Sequence, residues 1–252
     1  MELLFIKRPV LRAVCHSSIG NLISKYYKNQ IPNRGCVIDT TSKAITPSLK
    51  ASLYWGTYEK SEVLFVKRYL RPDQDVIELG SSMGVVSAHI ARRLSATSKL
   101  ICVEANPELI PSIYANVYKN AQVCQLAVVH AAIDYSGTTT VTLNIDQRNI
   151  DSRVSITGKN LVEVPALTVQ EICKRFDVQN FSLVADIEGS ESGILCYERV
   201  LIMEKCSQLI IELHDVNNDS QPITVDNMVL QLVGDYGFKL LQRRGNVFVF
   251  ER

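Results

Sequence analysis

The sequence contains no run of about 18 apolar residues, so it offers no transmembrane helix. It contains no Cys-x-x-Cys pair. Its cysteines, at 15, 36, 102, 124, 173, 196 and 206, are odd in number, and most lie in apolar runs such as Leu100-Ile101-Cys102-Val103. That pattern argues against a disulfide framework or a zinc site and predicts reduced, buried thiols in a cytoplasmic protein. No excess of either charge is present: 27 Lys plus Arg against 26 Asp plus Glu leaves +1. A broadly basic nucleic-acid binder is thereby disfavoured. There is no internal repeat, no low-complexity segment, and no long apolar stretch behind the N-terminal bases that would mark a signal peptide.

What is present is a globular composition, 46% hydrophobic and 21% charged, with enough apolar residues for one large α/β domain. The near-neutral total hides a local imbalance. Residues 1–30 carry Lys7, Arg8, Arg12, Lys25 and Lys28 against Glu2 alone, leaving the remainder at −3. This segment reads as a helical arm packed on the domain, or as a peripheral contact with a membrane surface or partner. Residues 31–57, rich in Pro, Thr, Ser and Asn, read as an irregular connector. The predicted division is therefore an arm and connector over 1–57 and one domain over 58–252.

A helix over about Tyr58–Leu70 is followed by alternating strands and helices: strand Asp75–Leu79, helix Gly84–Leu94, strand Leu100–Glu104, a helix capped by Asn106, strand Val123–Val129. Residues 130–165 break the rhythm and read as a hairpin or substrate lid, with strands near 138–145 and 153–156. A capping box at Thr168 and Glu171 reopens it. Strands Phe181–Asp186 and Gln208–Leu213 follow with a helix between them, then a helix over about Thr224–Tyr236 and a closing hairpin over 238–250. Repeated β-α-β units predict a mostly parallel sheet with helices on both faces. In this reading His89 faces outward on its helix, and Tyr26, Tyr27, Tyr114 and Tyr118 are packing residues.

The stretch Glu78-Leu79-Gly80-Ser81-Ser82-Met83-Gly84 joins a strand to a helix, where open α/β sheets bind ligands. Its spacing is not G-x-G-x-x-G, which weighs against a nicotinamide-dependent oxidoreductase. It reads as acid-x-Gly-x-small-x-Gly, in which Gly80 permits a tight turn and Gly84 a close helix approach. Glu78 suits a cationic amino group. Glu104, at the end of the second strand, can accept from both hydroxyls of a ribose. A ligand with an ammonium and a ribose but no phosphate is S-adenosylmethionine (SAM). A purely structural turn remains the competing reading.

Four motifs then resemble the FkbM family of SAM-dependent methyltransferases: Trp55-Gly56-Thr57-Tyr58-Glu59 with Glu62, the 75–84 stretch, Val103-Glu104-Ala105-Asn106-Pro107, and Ala185-Asp186-Ile187-Glu188-Gly189-Ser190-Glu191. The resemblance spans about residues 54–214. Glu78 stands where the family often has Asp, and Ser81-Ser82 replaces Ala-Asn. It implies a Rossmann-like class I methyltransferase fold with a seven-stranded sheet. It also implies O-methylation of a hydroxyl such as that of a sugar in a glycan or glycolipid. The cofactor would be held by Tyr58, Glu59, Glu78, Gly80, Ser81, Ser82, Gly84, Glu104, Ala105 and Asn106.

Methyl transfer to an alcohol is helped by a positioned base. Asp186 and Glu188, and likewise Glu212 and His214, are two residues apart and would share a side of extended chain at the carboxyl ends of neighbouring strands. Asp186 is the first candidate for the base and His214 the second. The same four residues could bind a divalent ion, although their spacing is not diagnostic and a metal is not favoured. Blander roles stay open: Asp186 on loop amides, Glu191 capping or solvating a helix, His214-Asp215 as a surface turn, His130 as a satisfied edge histidine. A non-catalytic interaction protein on the same fold is the reading from a different class.

Overall fold

The computed structural model describes residues 13–121, 125–144, 153–154, 161–216 and 222–252. The N-terminal part contains α1 (Ser17–Tyr26), β1 (Gln30–Asn33), β2 (Cys36–Asp39), α2 (Pro47–Tyr54) and α3 (Lys60–Tyr69). Then come β3 (Asp75–Leu79), α4 (Val85–Arg93), β4 (Lys99–Glu104), α5 (Ile110–Asn120) and β5 (Gln125–His130). The interruption holds β6 (Ala132–Ile133), β7 (Thr140–Asn144), β8 (Arg153–Val154) and β9 (Leu161–Leu167). The chain continues through α6 (Val169–Arg175), β10 (Phe181–Ala185), α7 (Glu191–Tyr197), α8 (Arg199–Lys205), β11 (Cys206–Glu212), α9 (Val225–Gly234), β12 (Lys239–Arg244) and β13 (Val247–Glu251).

Seven strands form the main sheet in the order β5-β4-β3-β10-β11-β13-β12. The first five are parallel, and β13 runs antiparallel to both its neighbours. Counted along the chain within this sheet, the order is 3-2-1-4-5-7-6 with the seventh strand reversed. This is the Rossmann-like class I methyltransferase fold. Alternate residues of the central strands feed two cores: Ile77, Leu79, Ile101 and Leu183 one face, Val76, Leu100, Cys102 and Val184 the other. Burial on both faces explains why these strands read as nearly unbroken apolar runs. The chain leaves β3 toward β4 on one side and returns to β10 on the other, so a crevice opens at the carboxyl ends of β3 and β10.

Residues 31–57 depart from the sequence reading. They are not an irregular connector but a hairpin, β1–β2, followed by the helix α2. Ile31 and Ile38 are fully buried, yet each strand is only four residues long and turns at Arg34-Gly35, both at positive φ. Periodicity is invisible over such lengths. The Thr46-Pro47 start of α2, with the Thr46 hydroxyl accepting from Leu49 N–H, is a readable cap. His89 is accordingly not outward-facing. It is 3% exposed, with Nδ1 3.4 Å from Cys36 Sγ and Nε2 3.2 Å from Asn33 Oδ1, because the hairpin covers that side of α4.

Helix α5 starts at Ile110 rather than beside Asn106. The Asn106 side chain instead accepts from Glu108 N–H in a preceding turn, and Pro111 lies in the helix's first turn. Tyr26 and Tyr118 are exposed, and Tyr114 lies at the surface stacked on Tyr118. Part of the 130–165 interruption forms a second, four-stranded sheet, β6-β9-β7-β8, around Ala132, Val141, Leu143 and Val164. The ends of its expected strands at Ile145 and Ile156, together with Val123, Cys124 and residues 1–12 of the basic arm, lie outside the described residues.

Candidate active site

Loop 80–84 leaves β3 at the switch point. Gly80 and Ser81 donate their N–H groups to Val103 O, tying the loop to β4. Gly80 has φ +79°, and a Cβ there would stand 2.0 Å from Asp186 O, so the loops after β3 and β10 touch through a position only glycine fits. Gly84 has φ +83°, and a Cβ there would come within 2.8 Å of Ile113 Cα. The close neighbour that Gly84 admits is therefore α5 rather than its own strand.

Glu104 closes the loop. Its Oε2 accepts from Ser82 N–H at 2.7 Å and its Oε1 from Asn106 N–H at 2.7 Å. It is 6% exposed, and burial raises its carboxyl above the usual range. Ser82 sits at φ +50°, and its hydroxyl lies 3.0 Å from the Tyr58 hydroxyl. Tyr58 and Glu59 precede α3, with Glu59 in the left-handed region at φ +44°. Burial pushes the Glu59 carboxyl well up, and its Oε2 is buried without a hydrogen-bond partner among the described residues. The structure thus gathers Tyr58, Ser82, Glu104 and Asn106 into one hydrogen-bonded group. Ser81 is buried within the loop, Ala105 packs against the small sheet's core, and His130 Nε2 meets Ala105 O at 3.0 Å.

Glu78 is placed differently from its loop neighbours. It is 2% exposed and shares the sheet face of Val76 and Cys102, toward α4. There Oε2 accepts from the Ser87 hydroxyl and from Cys102 Sγ. Burial lifts its carboxyl to about 7, and these donors work against the lift.

At the carboxyl ends of β10 and β11 the acids converge by a turn, not by extended alternation. The chain is no longer strand after Ala185, and Glu188 has φ +54°. Asp186 N–H still donates to Leu79 O, but its Oδ1 is buried with no hydrogen-bond partner among the described residues. Burial, then Glu212 and Glu188, push its carboxyl up to about 8. Glu212 is likewise raised by burial. His214 sits among the acids, with Nδ1 3.4 Å from Glu191 Oε1 and Nε2 3.9 Å from Glu188 Oε2. The Glu191 carboxyl beside it carries its imidazole to about 9.

Two members of this group carried no catalytic or binding role in the sequence reading. Glu191 is not a solvated helix acid. It is fully buried, accepting Ile187 N–H and Gly189 N–H while facing His214. Glu62 on α3 is 8% exposed and coupled to Glu212, with burial lifting it to about 7. The only signal for either was its place in a quoted motif. Asp215, beside His214, instead caps α9 through Val225 N–H at 2.7 Å. Among the described residues Asp186, Glu191 and His214 offer ligand atoms within 4.8 Å of one another, the set that could hold a metal ion.

No family model and no curated protein matches the chain. Among solved structures it is similar to a methyltransferase from Geobacter sulfurreducens, at 12% identity and a TM-score of 0.45 over 99% of this chain and 93% of that one. It is also similar to M. jannaschii TYW2 in complex with AdoMet, at 12% identity and 0.43 over 88% and 84%. A third is Aeropyrum pernix fibrillarin with natively bound S-adenosyl-L-methionine, at 10% and 0.41 over 76% and 72%. Likeness at this level says nothing of this chain's chemistry, which has to be argued from its own side chains.

Proposed function

We propose that this protein is a SAM-dependent O-methyltransferase whose acceptor is a sugar hydroxyl of a glycan or glycolipid. The observation that carries the reading is the Glu104 carboxylate clasping the 80–84 loop at the switch point, with the acid cluster around Asp186 at the ends of the neighbouring strands. The donor set fits the cofactor. Glu59 Oε2 is a buried acceptor without a donor among the described residues, which suits a cationic amino group. Each Glu104 oxygen accepts one backbone N–H and keeps a lone pair for a ribose hydroxyl.

When bound, SAM supplies a sulfonium methyl for in-line displacement by an oxygen nucleophile. The chain's task is to align the acceptor and to take its proton. Asp186 is the proton acceptor: a carboxyl held near 8 is matched to proton transfer close to neutrality. His214 stays charged at neutral pH through Glu191, so it serves as a hydrogen-bond donor that orients the acceptor rather than as the base. Glu212 and Glu62 supply acceptors for further hydroxyls, as a polyhydroxylated substrate requires. Titration calorimetry with SAM, followed by transfer of label from methyl-labelled SAM to glycan and glycolipid extracts, tests the reading. Binding with label in a base-stable ether supports it. Absence of SAM binding overturns it, and binding with no acceptor ever labelled favours a non-catalytic role.

A further inference from the structure

The first 58 residues carry eight bases and two acids, a net +6, while the remaining 194 stand at −5. The described part of this basic region builds a platform rather than a tail. Helix α1 is pinned to α2, since a Cβ at Gly20 would stand 1.6 Å from Pro47 O. Its inward residues, Gly20 and Ile23, are buried. Its outward side presents Leu22 at 69% exposure and, one turn on, Tyr26 at 79%, with Lys25 and Lys28 exposed beside them. A run of aromatic contacts, Tyr26–Tyr27–Tyr54–Trp55, with centroids 4.8, 5.5 and 5.0 Å apart, leads to Trp55, which is 40% exposed. The Trp55 indole N–H donates to Val14 O at 3.0 Å, which holds the ring in place.

We propose that the outward face of α1, together with Trp55, docks on an anionic membrane surface. Fixed apolar and amphipathic side chains flanked by lysines are what an interface of headgroups and acyl chains accommodates. The +6 imbalance selects a negatively charged one. Trp55 lies three residues before Tyr58, whose hydroxyl meets the ligand loop at Ser82, so the docking face runs to the mouth of the crevice. The proposal stands independently of the methyl-transfer reading. It adds to that reading only that a lipid-borne hydroxyl would arrive beside the site.

The test is sedimentation of the full chain with vesicles of phosphatidylcholine alone or mixed with phosphatidylserine, at low and high salt. Binding to the mixed vesicles that weakens with salt is expected. Lys25→Glu should lower it by about fivefold or more. The double variant Leu22→Glu/Tyr26→Glu should abolish it while leaving the circular dichroism and melting temperature unchanged, because both side chains are exposed. No sedimentation with the mixed vesicles overturns the proposal. So does equal sedimentation of the double variant, which would leave residues 1–12 as the contact. Sedimentation velocity provides a further check: a wild-type dimer that the double variant converts to monomer would make this face a self-interface and overturn the proposal as well.

Discussion

The Ser82 N–H lies 2.7 Å from Glu104 Oε2, so the loop after one strand is anchored by the terminal acid of the next. The second oxygen holds Asn106 N–H, and the carboxyl is buried. Glu104→Gln replaces one acceptor by an amide NH2 facing a backbone donor. A loss of about 1–3 kcal/mol in stability is expected. A fall in SAM affinity of about tenfold or more is expected as well, since a ribose acceptor goes with the same atom. Thermal melts and calorimetry read the two effects separately. Unchanged SAM affinity would remove Glu104 from the binding site.

Gly80 and Gly137 allow a controlled comparison. Both have positive φ, +79° and +82°, but a Cβ at Gly80 meets Asp186 O at 2.0 Å while one at Gly137 meets nothing within 4 Å. Gly137→Ala therefore carries only backbone strain, about 1 kcal/mol. Gly80→Ala adds displacement of the Asp186 loop and is expected to lower the melting temperature several times as much and to impair turnover. Equal melting temperatures for the two variants would mean that the loops after β3 and β10 do not touch.

The main sheet was legible because its central parallel strands are buried on both faces and bounded by turn residues. Thr168 and Glu171 form the capping box their spacing promised. The 80–84 loop was legible through Gly80 and Gly84. What escaped depended on tertiary cover. The strands holding Ile31 and Ile38 are too short for periodicity, and without them nothing marks His89 as buried. Glu78 sits in the right motif, but strand alternation turns its carboxyl toward Ser87 on α4. Glu191 looked like an ordinary helix acid because its buried partners, two loop N–H groups and His214, are set by the turn at Glu188.

The acid cluster also gives stability a direction with pH. His214 is raised to about 9 by its pairing with the Glu191 carboxyl, above its ordinary value near 6.5. The stabilisation from that pair is complete below about pH 6.5 and is lost as pH rises through about 9. Burial holds Asp186 protonated to about 8, so its folded state too becomes less favoured as pH climbs from its ordinary range toward 8. The melting temperature should therefore fall between pH 6.5 and 9. In His214→Gln the portion lost near pH 9 should disappear. An identical pH profile for the variant would show that the imidazole is not paired with Glu191.

Asp186→Asn separates chemistry from binding. The exchange is nearly isosteric, keeps the Asp186 N–H on Leu79 O, and removes a carboxyl that burial already disfavours as an anion, so folding is not endangered. Once label transfer has identified an acceptor, turnover should drop by about 10²–10⁴ while SAM affinity changes little. The pH profile distinguishes a proton acceptor from a merely structural acid. Wild-type turnover should rise with pH through about 8 as the carboxyl ionises, and that limb should be missing from the residual activity of Asp186→Asn. A variant with full turnover, or one that keeps the rising limb, would transfer the proton-accepting role to another group in the cluster. Glu212 would then be the next to substitute, because its carboxyl is raised by the same burial and lies next to Asp186 in the field of His214.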